Sequence, residues 1–199
     1  MMDFSKKELH LMEHDPLLKK IIISNGPLNE IPKSDNIYHS LVKIVISQFI
    51  STSAASAISN RILEKFKTNI FSVNLFKDLT VLQIKELGLS TSKAKSILEI
   101  SLIFSSKDSE IRVNSFNEEE LEEFILGIYG LGPWSLHMLK IFSLGYEDVF
   151  SSSDAALRKA MENALMVKKG TNKSEYDKYA KKWSPYRSIA SRHLWTSLA

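Results

Sequence analysis

The sequence predicts an all-α protein, and three observations carry this prediction. Apolar residues recur at helical spacings of three and four along most of the chain, and alternating strand-like segments are almost absent. The chain has 199 residues, of which 44% are hydrophobic and 25% charged, with seven glycines and five prolines. This composition is typical of a globular protein that buries a substantial core, as one domain or as two small lobes.

Composition also excludes several kinds of site and anchor. The sequence contains no cysteine, which excludes disulfides, zinc sites with thiolate ligands and iron–sulfur clusters held by cysteine. The apolar run from Leu41 to Ile50 is interrupted by Lys43 and Ser47 and falls far short of the roughly 20 residues of a membrane span. The first ten residues lack an apolar signal core, so we expect an intracellular protein. The net charge of +3 suits a nucleic-acid-binding protein and a metabolic enzyme alike.

Two helices are predicted at about 37–50 and 53–67, meeting at a corner. The hydroxyl cluster Ser51 to Ser53 lies between them and can cap the second helix. The apolar positions that define both helices are Tyr38, Leu41, Ile44, Val45, Phe49, Ala54, Ala55, Ile58, Ile62 and Phe66.

Further helices are predicted around two turns. A short helix near 80–87, a turn at 88–92 and a helix at about 93–105 form the first helix pair. Ser115 precedes Glu118 by three residues, a capping-box spacing, and the helix that follows leads to the second turn.

The second turn is the most informative segment of the chain. Residues 126–139 contain Gly130 and Gly132 around a tight turn, followed by Pro133 at a natural first position of a helix. The free amides at the start of that helix can bind an anion such as a phosphate, although an ordinary helix–helix connection would use the same glycines. Asp154 follows Trp134 by 20 residues (154 − 134) and opens another helix, where an acid can also simply complement the helix dipole.

At these residues the sequence resembles the helix-hairpin-helix DNA glycosylases, specifically their 3-methyladenine glycosylase II branch. Four segments carry the resemblance in order, namely 46–51 (Ile-Ser-Gln-Phe-Ile-Ser), the turn at 88–94, the hairpin from 128 through Asp154, and 183–188 (Trp-Ser-Pro-Tyr-Arg-Ser) leading to 193–195. The resemblance implies a two-lobed helical body with the active-site cleft between its lobes. The central lobe would span 37–146, the second lobe would combine 1–36 with 147–199, and no N-terminal β-domain is expected.

The resemblance also implies the chemistry. Asp154 matches the family's catalytic aspartate, a carboxylate that would stabilise the oxocarbenium character of the sugar or orient the attacking water. Trp134 stands where lyase-type relatives carry a catalytic lysine, so hydrolysis without a Schiff base or strand cleavage is expected. Trp134 and Trp195 match aromatic positions of the base pocket, where cation–π attraction favours a positively charged alkylated purine. Met138 and Ala155 match two further pocket positions. Because neither residue is aromatic, fewer aromatic side chains would line the pocket.

Other positions would contact duplex DNA. Phe49 matches the wedge that fills the space left by a flipped nucleotide, and Gln48 beside it is a candidate minor-groove donor. Ser92 and Lys93 would meet phosphate on the other strand, while the hairpin with Gly130 and Gly132 would hold a phosphate. In the family the hairpin commonly holds a sodium or potassium ion, here through the backbone carbonyls of Leu126, Ile128 and Leu131, and no cofactor for catalysis is implied.

Three alternatives remain beside this interpretation. The first is a glycosylase of the same fold for another damaged or mismatched base, and the second is a DNA-binding module without catalysis. The third is a metal hydrolase that uses His10, Glu13 and His14, but this short pattern has a high chance frequency. We expect a monomer acting on alkylated double-stranded DNA in a prokaryotic cytoplasm or a eukaryotic nucleus. The sequence does not separate 3-methyladenine, 7-methylguanine, ethenoadenine and hypoxanthine as substrates.

Overall fold

The structure, a computed structural model, describes residues 3–31, 33–34, 36–106, 113 and 115–198. Within these residues the chain forms α-helices and short 3-10 turns and no β-strand, which confirms the predicted all-α class. The helices with described bounds are α1 Lys6–His14, α2 Pro16–Asn25, α3 Ile37–Ser47, α4 Thr52–Lys65, α5 Val81–Lys85, α6 Thr91–Ile103, α7 Glu118–Gly127, α8 Pro133–Phe142, α9 Ala155–Asn163, α10 Lys173–Ala180 and α11 Arg187–Thr196. None of these helices is both long enough and apolar enough to cross a bilayer.

The chain divides into two compact units. The terminal unit comprises Met1–Lys33 and Lys140–Ala199, and the central unit comprises Ser34–Leu139.

Helix α3 is the main buried helix of the central unit. Leu41 and Val45 on this helix are fully buried, and α3 packs against α4 and α6. Asn36 caps α3 by accepting a hydrogen bond from the His39 N–H at 2.6 Å. The helix ends at Ser47, three residues before the predicted end at 50 (50 − 47), because Phe49 has a positive φ of 59° that a right-handed helix cannot contain.

Local capping explains most of the other helix starts. Ser51 caps α4 through the Ala54 N–H at 3.2 Å, as the hydroxyl cluster predicted. The predicted capping box of Ser115 and Glu118 is wrong. Helix α7 is instead capped by Asn117, whose N–H and side chain pair reciprocally with Glu120, since this pair has the same three-residue spacing two positions further on.

The terminal unit has its own hydrophobic core, built from both ends of the chain. Its fully buried members include Leu11, Leu18, Leu157, Trp183 and Leu194. Asp15 lies within this unit at 1% exposure, where it caps α2 through the Leu17 and Leu18 N–H groups and accepts a hydrogen bond from Trp183 Nε1 at 2.8 Å. A buried carboxylate is tolerated here because several donors satisfy its oxygens.

Candidate functional site

The hairpin lies between α7 and α8 in the central unit. As predicted, α8 begins at Pro133. Gly130 has a φ of 80°, and a Cβ there would lie 2.0 Å from the Ser96 Oγ, so the hairpin requires glycine at this position. The neighbouring Tyr129 N–H donates to Glu99 Oε1 at 3.1 Å. Both contacts join the hairpin to α6, which fixes the position of the turn.

The loop between α3 and α4 presents a phenylalanine to solvent. Phe49 is fully exposed, with a relative accessibility of 102%, and its left-handed backbone is unusual for a residue with a Cβ. The preceding Gln48 turns the other way, toward the hairpin. Its Nε2 donates to the Gly130 carbonyl at 2.9 Å and to Ser135 Oγ at 3.0 Å. Both N–H bonds of the predicted minor-groove donor are thus used within the protein.

The turn at 88–92 lies before α6. Its Gly88 has a φ of 93° and lies against Arg61, whose Nη2 donates to the Leu87 carbonyl at 2.9 Å. Ser92, in the first turn of α6, is exposed, as a phosphate contact would require. Lys93 is half-buried, its Nζ donates to the Ile46 carbonyl at 2.8 Å, and burial lowers its pKa. The Lys93 ammonium therefore closes the last turn of α3 instead of extending into solvent.

Asp154 lies in the terminal unit at the N-terminus of α9. The residue is 8% exposed, and Oδ1 accepts hydrogen bonds from the Leu157 N–H at 2.7 Å and from Trp195 Nε1 at 3.1 Å. The Trp195 ring packs beside the Phe142 ring, with centroids 5.4 Å apart. Ala155 follows Asp154 and is exposed. The carboxylate is therefore oriented by a helix end and by an indole N–H, and the helix dipole favours its negative charge.

The segment 183–188 supports the chain that leads to Asp154. Arg187 forms a bidentate ion pair with Asp148, with Nε to Oδ1 at 2.7 Å and Nη2 to Oδ2 at 3.1 Å, and Ser184 donates to Oδ2 at 2.7 Å. Burial raises the pKa of Asp148, but these hydrogen bonds outweigh it and leave that pKa below its ordinary value. The Ser188 Oγ accepts from the Val149 N–H at 3.0 Å. Sequence reasoning matched this segment to a family without finding its contacts, which join positions 36 or 39 residues apart.

The remaining predicted site residues lie in the central unit. Trp134 is half-buried and Met138 is buried, both on α8. The Ile128 carbonyl accepts a hydrogen bond from the Leu131 N–H at 3.1 Å within the hairpin. Sequence reasoning missed Ser135, which follows Trp134 in the first turn of α8. The sequence shows Ser135 only as a polar residue near the start of a helix, and the structure shows that this residue is buried.

Histidines and carboxylates do not gather into a metal centre in the described part of the chain. Within it, no group of three or more such side chains is placed to hold an ion. The rings of His10 and His14 stack with centroids 4.1 Å apart, and Tyr186 lies edge-on to His10.

An all-α fold with this hairpin, and with an oriented aspartate following it, defines the helix-hairpin-helix class of DNA-repair proteins. The family model described as HhH-GPD superfamily base excision DNA repair protein matches residues 42–185, so the chain belongs to this superfamily. The predicted family relationship is confirmed.

Two sequence relatives and one solved structure match this chain over most of its length and most of their own. The Schizosaccharomyces pombe alkylbase DNA glycosidase-like protein mag2 is 25% identical over 97% of this chain and 93% of its own. DNA-3-methyladenine glycosylase 1 of the same organism is 29% identical over 96% of this chain and 86% of its own. The solved structure of S. pombe 3-methyladenine DNA glycosylase (Mag1) in complex with abasic DNA superimposes with a TM-score of 0.84 at 26% identity, covering 96% of this chain and 95% of that one.

Proposed function

We propose that this chain is a monofunctional DNA glycosylase that hydrolyses the N-glycosidic bond of alkylated purines flipped out of duplex DNA. The observation that carries the proposal is the Asp154 carboxylate, which is almost buried and is held at 3.1 Å by the indole N–H of Trp195. A nearly buried, oriented anion next to an aromatic ring is the pairing that excision of a cationic base needs. The S. pombe 3-methyladenine glycosylase described above, similar to this chain in sequence and in structure, supports the same activity.

Asp154 would act on the sugar. When the bond between C1′ and the purine nitrogen breaks, its electron pair leaves with the base and positive charge develops on the sugar ring. A fixed carboxylate stabilises that charge more strongly in a water-poor site than in bulk water. Water then adds at C1′ and loses a proton, which completes hydrolysis. A 3- or 7-alkylated purine already carries positive charge and leaves as a neutral base, so a second carboxylate is not needed as a general acid.

The resemblance matches four residues to the base pocket. Trp195 and Ala155 accompany Asp154 in the terminal unit, and Trp134 and Met138 belong to α8. We propose that the two units correspond to the predicted lobes. Indole rings attract a cationic base by cation–π interaction, which favours an alkylated purine over a neutral one.

Duplex DNA would be held by the two turns and the exposed wedge. The backbone N–H groups that follow Pro133 at the start of α8 can donate to one phosphate, and Ser92 at the start of α6 can bind another. Phe49 would enter the stack in place of the flipped nucleotide. The carbonyls of Leu126, Ile128 and Leu131 would hold a sodium or potassium ion. The second lone pair of the Ile128 carbonyl suits this, and the ion would supply positive charge for a phosphate.

The decisive experiment compares base release by the wild type and by Asp154→Asn on alkylated duplex DNA. Asparagine keeps the capping oxygen and the acceptor for Trp195, so this change removes the charge with little effect on the fold. Asp78→Asn removes the same charge from an exposed site and serves as the matched control. We expect release of free methylated purine by the wild type and by Asp78→Asn, its loss in Asp154→Asn, and abasic sites that stay uncut.

Other outcomes point to the alternatives. Duplex binding without release of any methylated purine would refute alkylpurine excision and favour a binding module or another lesion. Strand cleavage coupled to release would refute the monofunctional mechanism. DNA is the expected partner in either case, and we propose that a monomer acts on the chromosome, in the cytoplasm or the nucleus.

A further inference from the structure

The exposed Phe49 side chain is not held by packing. It is fully exposed on a short loop between the end of α3 at Ser47 and the start of α4 at Thr52. Opening a base stack costs a few kcal/mol, so a ring that enters the stack must be carried by a loop whose conformation is fixed. Something other than the ring itself must therefore hold the loop in place.

The Gln48 side chain supplies that support. Its Nε2 donates to the Gly130 carbonyl at the hairpin turn at 2.9 Å and to Ser135 Oγ in the first turn of α8 at 3.0 Å. These acceptors lie 82 and 87 residues away in the sequence, and the Ser135 side chain is buried. Gly130 in turn lies against Ser96. The loop is thus tied to a segment that is itself fixed on α6.

Lys93 fixes the end of α3, from which this loop starts. Its Nζ donates to the Ile46 carbonyl, one of the last carbonyls of α3, which lack partners within the helix. The start of the loop that carries Phe49 is therefore held twice. Gln48 in the loop is bonded to the hairpin, and Lys93, in the first turn of α6, is bonded to the end of α3.

Building on the proposed function, we propose that Gln48 is a positioning residue that ties the Phe49 wedge to the hairpin, so that phosphate binding by the hairpin aligns the wedge with the base stack. This assignment differs from a minor-groove donor, because both N–H bonds of the amide are used within the protein. It also requires an amide. A carboxylate has no N–H to donate and would place negative charge beside the Gly130 carbonyl, and a methionine side chain has no donor at all.

The test uses a duplex with a tetrahydrofuran abasic-site analogue and 2-aminopurine opposite it. Stacking of the Phe49 ring against 2-aminopurine should quench its fluorescence, and this readout does not depend on catalysis. The variants are Gln48→Glu, Gln48→Met and Phe49→Ala. Gln83→Glu is the matched control, because it makes the same chemical change while its side-chain oxygen keeps capping α5.

We expect quenching by the wild type and by Gln83→Glu, and its loss in both Gln48 variants as in Phe49→Ala, with duplex affinity retained. With alkylated duplex, the saturating rate of base release by the Gln48 variants should fall about tenfold, the effect of losing roughly one net hydrogen bond to the wedge position. The apparent binding constant should change little.

Full quenching by Gln48→Met and Gln48→Glu would overturn the proposal, as would a wild type that does not quench. Loss of helical circular dichroism in both Gln48 variants would also overturn it, because Gln48 would then be required for folding and not for positioning Phe49. If the wild type quenches but releases no methylated base, the proposed function fails, and the fluorescence of the Gln48 variants still decides the role of Gln48.

Discussion

Replacing Phe49 with alanine should lower activity without lowering stability. Phe49 is 102% exposed, so its ring contributes no burial, and we expect the free energy of unfolding to change by less than about 0.5 kcal/mol. Phe71 belongs to the same unit but is 0% exposed, and Phe71→Ala should cost about 3–5 kcal/mol. Phe49→Gly should be about 0.5–1 kcal/mol more stable than Phe49→Ala, because glycine relieves the left-handed backbone at some cost in entropy.

The activity change follows from the stacking energy of the ring. Aromatic stacking on a base contributes about 1–3 kcal/mol, which corresponds to a roughly 5- to 150-fold slower release of base by Phe49→Ala. The assay is single-turnover release of 7-methylguanine from duplex DNA, with urea unfolding measured on the same preparations. Leu82→Ala, which truncates another apolar side chain at 64% exposure, controls for the loss of an exposed apolar group.

Two results would refute this reasoning. A drop in unfolding free energy comparable to that of Phe71→Ala would mean that the Phe49 ring is packed in solution. A rate of base release equal to that of Leu82→Ala would mean that the ring does not enter the stack.

Three further changes test the interior of the molecule. Asp15→Ala should cost about 2–4 kcal/mol in urea unfolding, because it removes a helix cap and leaves the buried Trp183 N–H without its acceptor. Gly130→Ala should lower stability by at least about 1 kcal/mol, since its Cβ would lie 2.0 Å from a side-chain oxygen of α6, and a wild-type melting temperature would contradict this. Burial lowers the pKa of His193 below 6.5 despite Glu8. Burial raises the pKa of Glu8, but its hydrogen bonds lower that pKa by more, so it lies below its ordinary value. The folded state therefore binds fewer protons than the unfolded chain. The free energy of unfolding should be highest above about pH 6.5 and should fall as pH decreases. In His193→Gln, the melting temperature should depend less on pH.

Local signals predicted much of the secondary structure. The start of α8 at Pro133 and the hydroxyl cap of α4 follow from residues a few positions apart. The N-terminal helices carried equally clear signals, the Ser5 to Glu8 capping box and the Asp15-Pro16 start, which helical periodicity alone did not reveal. The misplaced cap of α7 has a local cause too, because two polar residues in one stretch offered the same spacing and only backbone geometry separates them.

The sequence by itself determined the all-α class and the hairpin with its glycines, because periodicity, capping and turn formation act over a few residues. It did not determine what Gln48 donates to or what holds Asp154. Those contacts join residues 87 and 41 positions apart. Hydrogen bonds at such separations form only when packing brings whole helices together, so the tertiary structure alone decided which polar side chains face one another.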